Sequence, residues 1–302
     1  VIKVIDFEKE LFIIAEIGGN HEGDFDYAKK LLLDAAESGA NAVKFQTYRA
    51  SKIVSKVENE DRWKHFQKFE LTDEQFIELA KLAKENNIMF MSSVWDLESL
   101  ELLDPYIEVH KIGSGDVTNY PMLEAIAKKD KPMVISTAMS TMEDIKETVA
   151  FIESVNPRLV KEKQVILLHC VAMYGDPKDE YTNLLAIKTM QENFDLPIGY
   201  SDHTNGIYAA ELAFGMGIKT LEIHFTDDKT REFRDHYISI TKEEMKELVE
   251  KAKRAPTILG TGEKKPVEAI ETKQRIWEFR RALYFKEDAA AGTVVTKENI
   301  TS

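Results

Sequence analysis

The sequence predicts an α/β protein folded as a (β/α)8 TIM barrel, and three observations carry that prediction. Short apolar runs recur about eight times, near the one per 30 residues that a barrel of about 250 residues requires. Stretches of helical period separate them, and strand alternating with helix points to a parallel sheet. Each run also closes on a polar or charged residue. A doubly wound open sheet would gather such residues near one switch point. Here they close nearly every run, which favours a barrel with its functional residues at one rim.

The first run, Phe12 to Glu16, ends on an acid, and a glycine-rich turn holding His21 follows. Asp26 to Ser38 repeats Tyr27, Leu31 and Ala35 at helical spacing, with Gly39 as a C-terminal stop. The second run, Ala42 to Gln46, carries Lys44 and Gln46. Residues 47–71 are long, charged and aromatic (Tyr48, Trp63, Phe66, Phe69), and read as a lid or a subunit contact. Thr72 to Gln75 has the pattern of a capping box opening a helix to about Asn86. The third run is Ile88 to Ser93; the fourth, Val109 to Ser114, carries Lys111. A helix over Pro121–Lys128 leads to the fifth run, Val134 to Ser136. Thr141 opens the next helix, which Asn156 and Pro157 end, before the sixth run, Val165 to His169. Helices over Asn183–Glu192 and Gly206–Met216 flank the seventh run, Ile198 to His203. The eighth, Leu221 to His224, precedes a helix over Thr241–Ala255. Beyond Lys264 the pattern changes to a long polar helix, Val267 to about Arg281, then a strand at Leu283–Phe285 and a turn with a strand start from Ala289. The expected division is a barrel over 1–265, a linker helix over 266–285 and the start of a further domain over 286–302.

Composition bounds the function. A chain of 302 residues with 43% apolar content can bury a large core. No apolar stretch reaches the roughly 20 residues a membrane helix needs. A net charge of −13 repels phosphate backbones and acidic lipid, so neither nucleic acid nor membrane is expected as a partner. An anionic substrate would need a local cluster of lysines. The start shows no basic segment followed by an apolar one, and Cys170 is the one cysteine, so a cytoplasmic protein without an intramolecular disulfide is expected.

Candidate chemistry follows from the strand ends. His203 and His224 close consecutive runs, and two imidazoles from neighbouring strands can share Mn²⁺, Fe²⁺, Co²⁺ or Zn²⁺. The structural alternative is a pair of hydrogen-bonded pocket histidines. Lys44 and Lys111 sit within apolar runs, where a lysine needs a partner. With Ser114, Ser136, Ser201 and the Gly113 and Gly115 amides they suit a phosphate cradle. An ion pair with Glu16 or Asp116, or a Schiff-base lysine, are the alternatives. Glu16 is placed for acid–base work or for binding a lysine. His21 orients a substrate hydroxyl or caps a turn. Neighbours on a strand point to opposite faces, so Cys170 and His169 cannot pair; Cys170 reads as packing and His169 as pocket-facing. Tyr174 reads as a substrate contact, His65 and His110 as structural.

Seven segments in register resemble the sialic acid synthase family: Ala15 to Gly23, Val43 to Gln46, Lys111 to Gly115, Ser136-Thr137, Leu168 to Cys170, Ser201 to Thr204 and Glu222 to Thr226. Cys170 to Tyr174 is closer to the branch of spore-coat polysaccharide synthases. The resemblance implies condensation of phosphoenolpyruvate with an N-acetylmannosamine-like aldose, releasing phosphate, in polysaccharide biosynthesis. It implies that His203 and His224 bind Mn²⁺, or another divalent ion such as Mg²⁺ or Co²⁺. Lys44, Ser93, Lys111, Ser114, Ser136 and Ser201 would hold phosphoenolpyruvate. Glu16 would act in proton transfer, Asp116 would position water, and Gln46, Tyr174 and Asp235 would contact the sugar. A homodimer is implied, with residues 286–302 opening a truncated antifreeze-like domain. Ala172 and the stretch Glu232 to His236 depart from the family pattern. Arg231 and Arg234 add charge there, to meet an acidic or phosphorylated sugar or simply to pair with Asp227 and Asp228. A Schiff-base aldolase of a nonulosonic acid, and a catalytically weak sugar-binding or assembly protein, are the rival functions.

Overall fold

The computed structural model describes Phe7, residues 11–232 and residues 235–302. Eight strands close into a parallel barrel in chain order: β1 (Phe12–Gly18), β2 (Ala42–Thr47), β3 (Met89–Val94), β4 (His110–Ile112), β5 (Met133–Ser136), β6 (Val165–Cys170), β7 (Ile198–Asp202) and β8 (Thr220–His224). Closure is made by β8 against β1, with Phe12 opposite Thr220 and Glu16 opposite His224.

Thirteen helices are found among the described residues. They are α1 (Phe25–Ser38), α2 (Ala50–Ile53), α3 (Glu60–Lys68), α4 (Asp73–Glu85), α5 (Leu97–Leu103), α6 (Tyr120–Ala127), α7 (Met142–Val155), α8 (Pro157–Lys161), α9 (Asp179–Thr182), α10 (Ala186–Asn193), α11 (Tyr208–Gly215), α12 (Lys242–Leu259) and α13 (Lys273–Phe279). Their boundaries follow local chemistry. The Asp24 side chain accepts from the Tyr27 N–H to start α1, and left-handed Gly39 ends it. The capping boxes at Thr72 and Thr141 both form. Residues 47–71 fold as α2 and α3, and their aromatics Tyr48 and Phe66 turn onto Trp95 at the end of β3. No helix among the described residues is long and apolar enough to cross a membrane.

The core has two parts. Phe12, Ile14, Ala42, Met91, Val109, Val134, Ile166 and Leu168, with Phe7, fill the barrel itself. The alternate residues of the same strands, among them Ile13, Val43, Phe45, Phe90, Ile135, Leu167 and Ile223, pack outward beneath the helices. Period-two alternation thus sets, strand by strand, which residues reach the mouth.

The chain divides into two compact units, residues 1–258 and 259–302. In the second, the helix expected over Val267–Arg281 is shorter. Thr272 is extended and its side chain accepts from the Arg275 N–H, so it caps a new helix, and Arg280 returns to extended backbone. Before the cap, residues 267–271 form a turn in which the Val267 N–H donates to the Glu271 carboxylate. Two short strands, Tyr284–Phe285 and Ile300–Thr301, pair antiparallel.

Candidate active site

Strand register assembles the site. Glu16 lies opposite Lys44, Gln46 opposite Ser93, Ser93 opposite Lys111, and Ser201 opposite Glu222. Each sits one layer above the apolar filling, at the C-terminal ends of the strands. Lys44 Nζ lies 2.7 Å from Glu16 Oε2 and 3.7 Å from Glu222 Oε2, and donates to Ser93 Oγ at 3.1 Å. Lys111 Nζ lies 3.6 Å from Glu222 Oε1. It donates to Ser136 Oγ at 2.8 Å and to the Ile112 carbonyl at 3.0 Å. Ser201 Oγ donates to Glu222 Oε1 at 2.9 Å, and Gln46 Nε2 to Glu16 Oε1 at 3.1 Å. Gly18 makes room for this: its φ is +54°, and a Cβ there would stand 3.1 Å from Glu16 Oε1 and 3.4 Å from Gln46 Nε2.

Burial separates the two carboxylates. It lifts Glu16 from 4.5 to about 7, against the pull of Lys44 and with the push of the Glu222 charge. At Glu222 burial is outweighed by Lys111, Lys44 and the Ser201 hydroxyl, which hold it at about 2. Lys44 stays cationic, because Glu16 and Glu222 overcome its burial. At Lys111 burial wins and its pKa falls. Two environments that push paired carboxyl groups apart separate a proton carrier from a fixed charge.

His203 and His224 meet edge-on beside this cluster, with ring centroids 5.1 Å apart and planes at 69°. Both are buried. Burial, then the neighbouring His224, pushes His203 down to about 3, so it is a neutral imidazole at pH 7. Tyr174 packs its ring edge-on against His203 and places its hydroxyl 3.2 Å from Nε2. Among the described residues no group of three or more His, Cys, Asp and Glu side chains is arranged to hold a metal. Two imidazole nitrogen donors fit a site whose remaining ligands are water and substrate oxygens. Asp235 is buried and its charge acts on both Tyr174 and His203.

The expected site residues gather, with differences. Ser114 closes the rim between β4 and β5 by accepting from the Ala138 N–H at 3.0 Å. Asp116 is bound locally, its carboxylate accepting from Asn119 Nδ2 at 2.9 Å in the turn before α6. His169 and Cys170 exchange the places expected of them. His169 points outward, stacked on Tyr200 with Nε2 2.9 Å from the Thr182 carbonyl. Cys170 follows Leu168 on the barrel face, with Sγ 3.7 Å from His203 Nδ1. Burial pushes its thiol up to about 11. His21 caps its turn, accepting from the Gly23 N–H at 3.1 Å. Arg231 pairs with Glu22 at 2.8 Å, not with Asp227 or Asp228, and lies over the Tyr27 ring. Asp227 is taken by Lys30 and the Tyr27 hydroxyl, and Asp228 by Thr230. Arg234 lies outside the described residues. Glu222 is the member that strand-end reading missed. Its signal was its place two residues before His224, hence on the same face.

Fold and site together define a (β/α)8 enzyme-type mouth in which a paired-lysine, hydroxyl-lined floor adjoins two neighbouring imidazoles. Comparison with known proteins makes the class specific: the chain belongs to the NeuB family, whose model matches residues 31–264. It is 37% identical over 302 residues to the N,N'-diacetyllegionaminic acid synthase of Legionella pneumophila, covering 96% of this chain and 84% of that protein. It is 34% identical over 306 residues to the human N-acetylneuraminate-9-phosphate synthase, covering 96% and 82%. The crystal structure of the N-acetylneuraminic acid synthetase from Leptospira borgpetersenii superposes with a TM-score of 0.81 at 32% identity, covering 90% of this chain and 92% of that one.

Proposed function

We propose that this protein condenses phosphoenolpyruvate with an N-acetylmannosamine-like amino-sugar aldose, forming a sialic-acid-type nonulosonic acid and inorganic phosphate. The observation that carries the reading is the floor of the barrel mouth, where Lys44 and Lys111 are buried among Ser93, Ser136, Ser201 and Glu222. A compact, multiply charged anion is the ligand that such a floor suits, in a chain whose net charge of −13 otherwise repels anions. The relatives are synthases of legionaminic and neuraminic acids, which supports a product of this class.

In the reaction, carbon three of phosphoenolpyruvate bonds to the aldehyde carbon of the open-chain sugar, water adds at carbon two, and phosphate leaves. Lys44, Lys111 and the serine hydroxyls hold the phosphate and carboxylate. Glu222 keeps a full negative charge between the lysines and so fixes their positions before the substrate arrives. Glu16, held near neutrality, gives a proton to the aldehyde oxygen as it becomes a hydroxyl. Gln46, Tyr174 and Asp235 stand where sugar hydroxyls would be held. His203 and His224 would hold the divalent ion, Mn²⁺ or another such as Mg²⁺ or Co²⁺, whose chemistry is Lewis-acid polarisation of the aldehyde. A Schiff-base aldolase is the second reading: an amine must be neutral to attack a carbonyl, which Glu16 and Glu222 oppose at Lys44 and which burial favours only at Lys111.

The test is phosphate release from phosphoenolpyruvate with a panel of amino-sugar aldoses and Mn²⁺. Release with at least one aldose, stopped by a chelator and restored by the ion, is expected. No release with any of them would overturn the reading.

A further inference from the structure

Trp95 closes β3 and belongs to none of the groups assigned above. Its N–H donates to the Thr47 carbonyl at 3.1 Å, so the pairing of β3 with β2 continues to this residue. Alternation places Trp95 on the face of Ser93, one layer above the hydroxyl that accepts from Lys44. Because Ser93 lies opposite Lys111, Trp95 stands level with Gly113. A Cβ built on Gly113 would meet Trp95 Nε1 at 3.9 Å and no other atom within 4 Å. The indole nitrogen therefore borders the gap that the missing side chain leaves, on the face that Ser93 and Lys111 share.

That N–H is an unspent donor. An indole nitrogen only donates, and at Trp95 it keeps access to solvent and so to a ligand. Trp95 is half-buried, yet no hydrogen bond from Nε1 is made among the described residues. The ring is also held in place. Tyr48 stacks on it at 5.0 Å and 14°, and Phe66 meets it edge-on at 6.1 Å and 83°. Tyr48 is itself buried. A donor already fixed in place needs no reorganisation when an anion binds.

We propose that Trp95 is a substrate-binding residue whose indole N–H donates to an anionic oxygen of the ligand held over Lys44 and Lys111, through the opening at Gly113. This rests on phosphoenolpyruvate as the ligand. The residues 47–71 then have a task at the site: they supply the stack that aims the indole.

The experiment is calorimetric binding of phosphoenolpyruvate to the full chain with Mn²⁺ present, for the wild type, Trp95→Phe, Gly113→Ala and the double variant. Phenylalanine keeps a ring against Tyr48 and removes only the N–H. Trp95→Phe is expected to raise Kd about tenfold, as loss of one hydrogen bond to a charged group does, while its melting temperature stays near that of the wild type. Gly113→Ala is expected to weaken binding in the wild type and to add little in Trp95→Phe, because both act on the same bond. Inorganic phosphate and pyruvate as separate probes tell which end of the ligand takes the donor, and affinity lost for either supports the assignment. Wild-type Kd in a folded Trp95→Phe would overturn it. If Trp95→Phe does not fold, wild-type affinity in Gly113→Ala would overturn it instead. A wild type that binds no phosphoenolpyruvate would overturn the proposed function, and this inference with it.

Discussion

Replacing Gly199 with alanine adds one methyl group to the inner face of β7. A Cβ there would lie 2.3 Å from the Thr220 carbonyl oxygen and 2.5 Å from Leu168 Cδ2. Contacts below 3.0 Å are essentially never seen for real Cβ atoms, so relief requires β7 and β8 to part by about 0.7 Å, the difference 3.0 − 2.3. The leucine can turn away, but the carbonyl belongs to the neighbouring strand. Overpacking of this kind costs about 1–3 kcal/mol. For a barrel of this size that is a fall in melting temperature of about 2–4 °C per kcal/mol. The displacement lands on the strands that carry Ser201 and His203 on one side and Glu222 and His224 on the other. A shift approaching 1 Å at reacting groups costs on the order of a hundredfold in rate. Thermal unfolding followed by circular dichroism, with kcat/KM from phosphate release, reads both effects. Should Gly199→Ala melt within about 1 °C of the wild type and turn over normally, the argument that strand register places these side chains is refuted.

Three further outcomes are expected. Glu222→Gln removes a carboxylate whose pKa is depressed from 4.5 to about 2; its stabilisation is present above 4.5 and lost as pH falls through about 2. The variant is therefore less stable than the wild type at pH 7, by on the order of 1 kcal/mol or more, and the difference narrows as pH falls toward 2; this is measured by denaturant unfolding, and equal stability at pH 7 would contradict it. Glu16, raised to about 7 by burial, donates its proton in the step assigned to it, so the wild-type rate falls as pH rises through about 7. Glu16→Gln lacks that limb, and an unchanged profile would remove Glu16 from the proton transfer. Cys170, buried with its thiol raised to about 11, resists iodoacetamide at pH 7.5 in the folded protein and reacts in denaturant; rapid alkylation of the folded chain would show that the thiol is open.

The division of the site follows the range over which each signal acts. The capping boxes at Thr72 and Thr141 and the stop at Gly39 are legible because a cap involves residues three or four apart. Lys44, Lys111, Ser136 and Ser201 are legible because each interrupts or closes an apolar run where a polar group needs a reason to be. Strand phase is what local sequence leaves open. In β6 every residue from Val165 to Cys170 is buried, so composition does not say which alternate set faces inward. The expected faces of His169 and Cys170 are reversed in the structure for that reason. Glu222 is hidden from a sequence reading in the same way, within β8, another strand buried throughout. Arg231 found Glu22, 209 residues away in the turn after β1, over the nearby Asp227 and Asp228. That distance is beyond any local pattern.

By itself, then, the sequence determined the alternation of strand and helix, the helix ends and the chemical types available at the mouth, because these depend on neighbours within one turn of chain. Only the tertiary structure decided the phase of each strand and the partners of each charge. Those depend on closing β8 against β1 and on the register that closure imposes, which brings Lys44, Lys111, Glu16 and Glu222 into one cluster from four separate strands.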